Sequence, residues 1–236
     1  MKTNTVIRMM SLLPMLILAI MANPLQAQNK IGVVVDAGSS NIDVNGLGVL
    51  DLIKPYIKSI PQYSAGLVYE RQLNPQWSIV TGARYTTRGF EMREDVNINL
   101  MGLDIPIGAK INTRLHYLEV PAAVQFNFTK RGVSPYLKAG VSAGYAVEGK
   151  IQPYVDALIN WKLPVIPINL KNDLYNRFDI SAMGGAGVSI PTNDIGSIQF
   201  EVNYRHSLND MFQDNITDIR IKSNGISAGI SYTMRF

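Results

Sequence analysis

A closed, antiparallel up-and-down transmembrane β-barrel of eight strands is the fold this sequence predicts, and three observations predict it. Apolar and polar residues alternate with a period of two in successive segments, the connections between segments alternate short and long, and aromatic residues gather near both ends of the apolar face. Side chains of a strand point to opposite surfaces in turn, so a period of two places each set on one face.

The alternating segments run approximately over 30–38, 62–73, 76–89, 113–129, 134–147, 177–190, 197–208 and 223–236. Only "NPQ" joins the second to the third, "TKRGVS" the fourth to the fifth, and "PTNDIG" the sixth to the seventh. The connections over 39–61, 90–112, 148–176 and 209–222 are long. A membrane barrel sorts its connections this way, with short periplasmic turns and long extracellular loops. A soluble sandwich has no reason to.

One face carries Tyr63, Ala65, Leu67 and Tyr69, then Trp77, Ile79, Ala83 and Tyr85, then Leu118, Val120, Ala122, Val124, Phe126 and Phe128. It continues through Leu137 to Val147, Ile198 to Tyr204 and Ile226 to Phe236, always at alternate positions. Tyr69, Trp77, Phe126, Phe128, Phe200, Tyr232 and Phe236 fall near the short-turn end; Tyr63, Tyr85, Tyr145, Phe178 and Tyr204 fall near the long-loop end. Two aromatic girdles around an aliphatic band mark a lipid-facing wall. The alternative, a soluble barrel with its apolar face inward, calls for a dense charge layer on the outside.

The opposite face carries charges of both signs: Glu70, Arg84, Arg88, Glu119, Lys138, Asp179, Glu201 and Arg205, among Ser, Thr, Asn and Gln. Toward lipid each would cost roughly 2–4 kcal/mol at the midplane, so they point into the barrel. An eight-stranded barrel is just wide enough for side chains to fill. An interior network of ion pairs follows, since buried charges persist only when paired. Arg84, Arg88, Glu119, Asp179 and Arg205 are expected in the upper half, and Glu70, Lys138 and Glu201 below. A polar plug is the expected consequence, and a gated ion path through it the alternative.

The ends of the chain carry two further expectations. Lys2 and Arg8 precede an apolar run from Met9 to Met21, and Leu25-Gln26-Ala27 resembles a signal-peptidase site. Residues 1–27 thus read as an export signal, too short in apolar length for a spanning helix, and 28–236 as the barrel domain. In the last segment Tyr232, Met234 and Phe236 share the lipid face. A terminal aromatic in that register resembles the signal read by the machinery that assembles outer-membrane barrels.

Composition excludes several functions. The chain has no cysteine, hence no disulfide framework and no thiolate metal site. Its net charge of +4 falls to +2 without residues 1–27, which hold Lys2 and Arg8 and no acid, so there is no case for nucleic-acid binding. His116 and His206 are the two histidines, both in the lipid-facing phase near the long-loop rim. Asp210, Asp214 and Asp218 follow His206, so an aspartate–histidine site can be drawn there, but nothing in the spacing demands it. The cluster Gly184, Gly185 and Gly187 lacks the lysine and helix of a phosphate loop and reads as room for a bulky neighbour. In the third long loop Leu158, Ile159, Trp161, Leu163, Val165, Ile166, Ile168 and Leu170 are too apolar for free solvation. That loop either covers the barrel mouth, touches the outer leaflet, or docks a protein partner.

The runs "HYLEVPAAVQFNF" and "VSPYLKAGVSAGYAVEG", with "YTTRGFE" and "EVNYRHSLND", resemble the PorT-like outer-membrane β-barrel proteins typical of Bacteroidetes. Tyr117, Leu118, Glu119, Val120 and Pro121 stand where that family carries its Tyr-Leu-Glu-[Ile/Val]-Pro run. The resemblance implies an outer-membrane location, contact with lipid and with the assembly machinery, and a link of some members to protein secretion. It supplies no catalytic residue and no cofactor. The resulting expectation is a non-enzymatic structural or interaction protein, accessory to secretion or envelope organisation. A narrow channel for ions or small solutes is the alternative, and a rim enzyme acting on lipid or peptide the third reading.

Overall fold

The computed structural model describes residues 28–45, 54–100, 103–156, 160–170, 175–192, 195–212 and 220–236. The export signal expected over 1–27 lies outside the described residues, as do Leu158, Ile159, Asp214 and Asp218. The described chain is almost wholly strand: β1 Gln28–Asn45, β2 Ile57–Gln72, β3 Trp77–Leu100, β4 Leu103–Asn127, β5 Ser134–Asp156, β6 Asn160–Lys162, β7 Ile166–Pro167, β8 Phe178–Pro191, β9 Gly196–Ser207 and β10 Arg220–Arg235. Eight of these form a ring in the order β4-β3-β2-β1-β10-β9-β8-β5, and β4 pairs with β5 to close it. Every pairing is antiparallel. Closure leaves the membrane-spanning wall without an open edge, which lipid requires.

Alternation decides which way each side chain points. Val33, Leu67, Leu118, Val120, Leu137, Val141, Val202 and Ile226 are exposed on the outside. Their neighbours in sequence, among them Val34, Val68, Glu119, Lys138, Asn203 and Ser227, are buried inside. Inside-out burial of this kind is stable only where the outer solvent is hydrocarbon. Aromatic pairs mark both borders of the belt. Trp77 packs on Phe126 at 4.8 Å and Phe126 on Phe128 at 5.3 Å near the short turns. Tyr145 packs on Phe178 at 5.0 Å near the other rim, where the Tyr85 hydroxyl lies 2.7 Å from His116 Nδ1.

The strands differ from expectation in length. The connection expected over 90–112 is instead a continuation of the β3–β4 hairpin, paired from Trp77↔Phe126 out to Leu100↔Leu103. With 24 and 25 residues, β3 and β4 are more than twice the ~9–11 a tilted strand needs to cross the membrane. Their outer halves therefore project beyond it. Charged residues such as Glu91, Arg93 and Lys110 made this stretch read as loop; beyond lipid an outward face can be charged and still be strand. β5 follows to Asp156, and β6 and β7 fold back to pair with its outer end. A register shift at His116/Tyr117 marks where the lipid-facing phase of the wall gives way to this projecting sheet.

Candidate functional site: the barrel lumen and its mouth

Interior polar residues form three tiers. Nearest the short turns, Lys30 Nζ lies 3.0 Å from Glu70 Oε1, and Glu70 also accepts bonds from Ser78 Oγ and Gln199 Nε2, each at 3.1 Å. In the middle, Glu201 accepts from Lys138 Nζ at 2.5 Å, the Tyr136 hydroxyl at 3.0 Å and Asn203 Nδ2 at 2.8 Å. Arg84 joins this tier, 3.0 Å from Asp36 and 3.8 Å from Glu201. Above it Arg88, 1% exposed, bonds both Glu119 and Asp179 and stacks over the Tyr117 ring at 4.5 Å. Asp179 is held further by Ser181 Oγ at 2.6 Å, Ser207 Oγ at 2.5 Å and Arg205 at 3.8 Å.

Sequence alternation places all eight expected charges inside. Arg84, expected in the upper half with Arg88, stands across from Glu119 in the β3–β4 ladder, and its side chain lies 3.0 Å from Asp36 and 3.8 Å from Glu201. Three partners went unrecognised in the sequence. Lys30 and Asp36 lie on the inward phase of β1, opposite exposed Ile31, Val33 and Val35, so the alternation did encode them. Tyr136 is an inward aromatic, 1% exposed, whose role depends on space opposite. A Cβ on Gly187 would stand 2.6 Å from the Tyr136 ring and hydroxyl, so Gly187 of the β8 glycine cluster is the recess that admits this side chain, while Gly185 makes room for Asn203. In the Tyr117–Pro121 run, Tyr117 and Glu119 point inward, Leu118 and Val120 outward, and Thr81 Oγ1 donates to the Pro121 carbonyl at 2.7 Å.

Above the Arg88 tier the lumen turns apolar, which the sequence did not announce. Ile42, Val44, Phe90, Leu115, Tyr117, Ala146, Leu170 and Met211 form a buried cluster, with Ile168, Tyr175 and Phe212 packed against it. These residues come from β1, β3, β4, β5 and the returning loops, so the cluster stoppers the extracellular mouth. Among the cavities lined by described residues, two polar ones lie below it. One of about 130 Å³ faces the short turns beside Lys30, Glu70 and Arg235, the last exposed at the rim although it shares the inward phase. The other, about 40 Å³, lies between the middle and upper tiers beside Asp36, Gln62, Arg84, Asn203 and Arg205. Polar atoms without a protein partner face it, including Asp36 Oδ1, Gln62 Oε1 and Arg205 Nη2, and it has room for about two or three waters.

The third-loop residues divide. Ile168 and Leu170 belong to the stopper, whereas Trp161, Leu163, Val165 and Ile166 are exposed, Trp161 at 64%. Trp161 pairs with Val155 and Ile166 with Ile151, on the phase of β5 that faces the barrel axis. With exposed Met92 and Ile111 they give the projecting sheet an apolar inner surface above the stopper. Tyr232, Met234 and Phe236 lie along the outer wall at the closing strand, with Met234 and Phe236 exposed and the Phe236 N–H donating to the Asn29 carbonyl at 3.2 Å. His206 has Asp43 for a neighbour, at 3.7 Å. Among the described residues no group of His, Asp and Glu is arranged to hold a metal ion.

A ring of eight strands, dressed for lipid outside and filled with ion pairs inside, defines a transmembrane β-barrel. The profile of the outer membrane protein beta-barrel domain matches residues 26–213, and the chain belongs to that family. It is a protein of the bacterial outer membrane, in contact with its lipid. Solved structures to which it is similar include OprG from Pseudomonas aeruginosa, at 14% identity over 89% of this chain and 96% of that one, TM-score 0.43. Neisserial surface protein A matches at 14% identity over 86% and 97%, TM-score 0.41. Ail of Yersinia pestis, in complex with the heparin analogue sucrose octasulfate, matches at 14% over 87% and 99%, TM-score 0.34. No curated protein matches the chain.

Proposed function

We propose that the protein is a closed, non-enzymatic barrel that serves as a membrane-anchored interaction platform, accessory to protein secretion or envelope organisation, in the manner of the PorT-like proteins of Bacteroidetes that its sequence resembles. The observation that carries this reading is the filling of the lumen: three tiers of paired charges lie beneath an apolar stopper. With the lumen filled in this way, function moves to the surface above the membrane. There the inner face of the projecting sheet exposes the large apolar side chains of Met92, Ile111, Trp161 and Ile166, residues of the kind that anchor protein docking. Tyr232, Met234 and Phe236 serve as the signal to the assembly machinery in this reading, and residues 1–27 as the export signal.

Photo-crosslinking in cells tests the platform. A photoreactive residue at position 161 or 166 should yield a protein adduct of discrete mass, while one at lipid-facing Val141 should not. Equal adduct patterns at all three positions, or none at 161 and 166 in assembled barrels, would remove docking from the account. The alternative, a narrow path for ions, draws on the polar cavities of about 130 and 40 Å³ and requires the stopper to open.

A further inference from the structure

Above the register shift at His116/Tyr117, the outward face of the projecting sheet changes from apolar to cationic within one step of the alternation. Leu115 and Thr113 are buried inward, so Arg114 and Lys110 point outward with His116. Gly149 packs against Leu115 and Ile168, so Lys150 points outward on β5. Register then aligns the cations in two rows across neighbouring strands. Arg114 pairs with Lys150; farther out, Arg93 pairs with Lys110, Lys110 with Tyr154, and Tyr154 with Lys162. Lys110 lies over the Tyr154 ring at 5.0 Å. Among the residues whose side chains are described, Glu91 and Glu148 are the acids of this face, Glu148 at 2.9 Å from Lys150, whose ammonium holds that carboxyl below the usual carboxylate range.

The height of the first row matters most. Arg114 lies two residues beyond His116, which together with Tyr85 closes the upper aromatic girdle, so it sits roughly 7 Å along the strand from the edge of the hydrocarbon. That is the level of lipid headgroups. Lysine and arginine stems can lie along the apolar wall while their charged ends engage phosphate, and arginine does so bidentately. The cationic rows are thus continuous with the established lipid-facing belt and complementary in charge to a phosphorylated headgroup.

We infer that the outward face of β3–β6, centred on Arg114 and Lys150, is a binding site for the headgroup of an outer-leaflet lipid bearing more than one phosphate. The second row, Arg93, Lys110 and Lys162, reaches the parts of that headgroup farther from the membrane. This site is independent of partner docking, which uses the opposite face of the same sheet.

Full-length folded protein in a neutral detergent, titrated with bis-phosphorylated lipid A and followed by native mass spectrometry, tests the inference. Arg114→Gln/Lys150→Gln should weaken retention about tenfold or more, as expected for two cations removed from an anionic surface. Lys130→Gln/Arg131→Gln, an equal charge change at a short turn, should leave retention as in the parent, and Arg114→Lys/Lys150→Arg should preserve most of it. Only barrels with heat-dependent gel mobility are compared, and the conservative variant guards against loss through misfolding. Removing the phosphates from the lipid should abolish retention. Undiminished binding of the dephosphorylated lipid, equal retention of phosphatidylglycerol, or equal loss in the short-turn variant would overturn the inference.

Discussion

Replacing Arg88 by methionine probes the interior network at its most enclosed point. Arg88 is 1% exposed, bonds Glu119 and Asp179, and stacks on Tyr117. Asp179 would keep Ser181, Ser207 and the more distant Arg205, so the carboxylate stranded by the substitution is Glu119. Breaking a buried pair and leaving one charge uncompensated costs about 3–5 kcal/mol. Adding Glu119→Gln removes that charge and should recover about half of the loss, because a neutral amide is far cheaper to bury than a carboxylate. Glu119→Gln alone should cost less than Arg88→Met, since Arg88 retains Asp179. Urea unfolding of Trp161→Phe protein in lipid vesicles, followed by fluorescence of the remaining Trp77 in the lower girdle, gives the three differences. Wild-type stability in Arg88→Met, or a double variant no more stable than the single, would refute the reasoning that these charges are held by one another.

Other perturbations follow from the same geometry. Tyr136→Phe removes the hydroxyl that donates to Glu201 and should cost about 1–2 kcal/mol in the same assay. Gly187→Val places side-chain atoms where the Tyr136 ring stands, so it should destabilise more than Tyr136→Phe does. Val141→Lys, exposed on the lipid face between the two girdles, should cost roughly 2–4 kcal/mol in bilayers. Phe236→Ala should lower the yield of heat-modifiable barrel in cells while leaving the stability of refolded protein almost unchanged, since Phe236 is 77% exposed; equal yields would detach the terminal aromatic from assembly.

The wall of the barrel was legible because lipid imposes its rule at every residue. Outward positions must be apolar, so the period of two in Leu118, Val120, Ala122 and Val124 can be read without knowing any contact. The same parity placed Glu70, Arg88, Glu119 and Glu201 inside, while their pairing stayed hidden. Arg84 reaches Asp36 across two strands, and the first strand's Lys30 and Asp36 were overlooked although they obey the alternation. Beyond the membrane the rule lapses. In residues 90–94 and 108–112 Phe90 and Met92 stand on the inner face and Glu91, Arg93 and Lys110 on the outer, and such a mixed stretch reads as loop. The stopper itself gathers Ile42, Phe90, Leu115, Leu170 and Met211 from separate elements. No local pattern announces a cluster assembled from six places in the chain, Ala146 of β5 included.

Conductance of the folded protein in planar bilayers, with insertion verified by heat-dependent gel mobility, is the most direct test of the closed lumen. The three tiers of ion pairs and the apolar stopper predict silence from inserted protein across the ordinary range of applied voltage. Steady, well-defined current steps would contradict a closed barrel and make passage of ions through the lumen the function to explain.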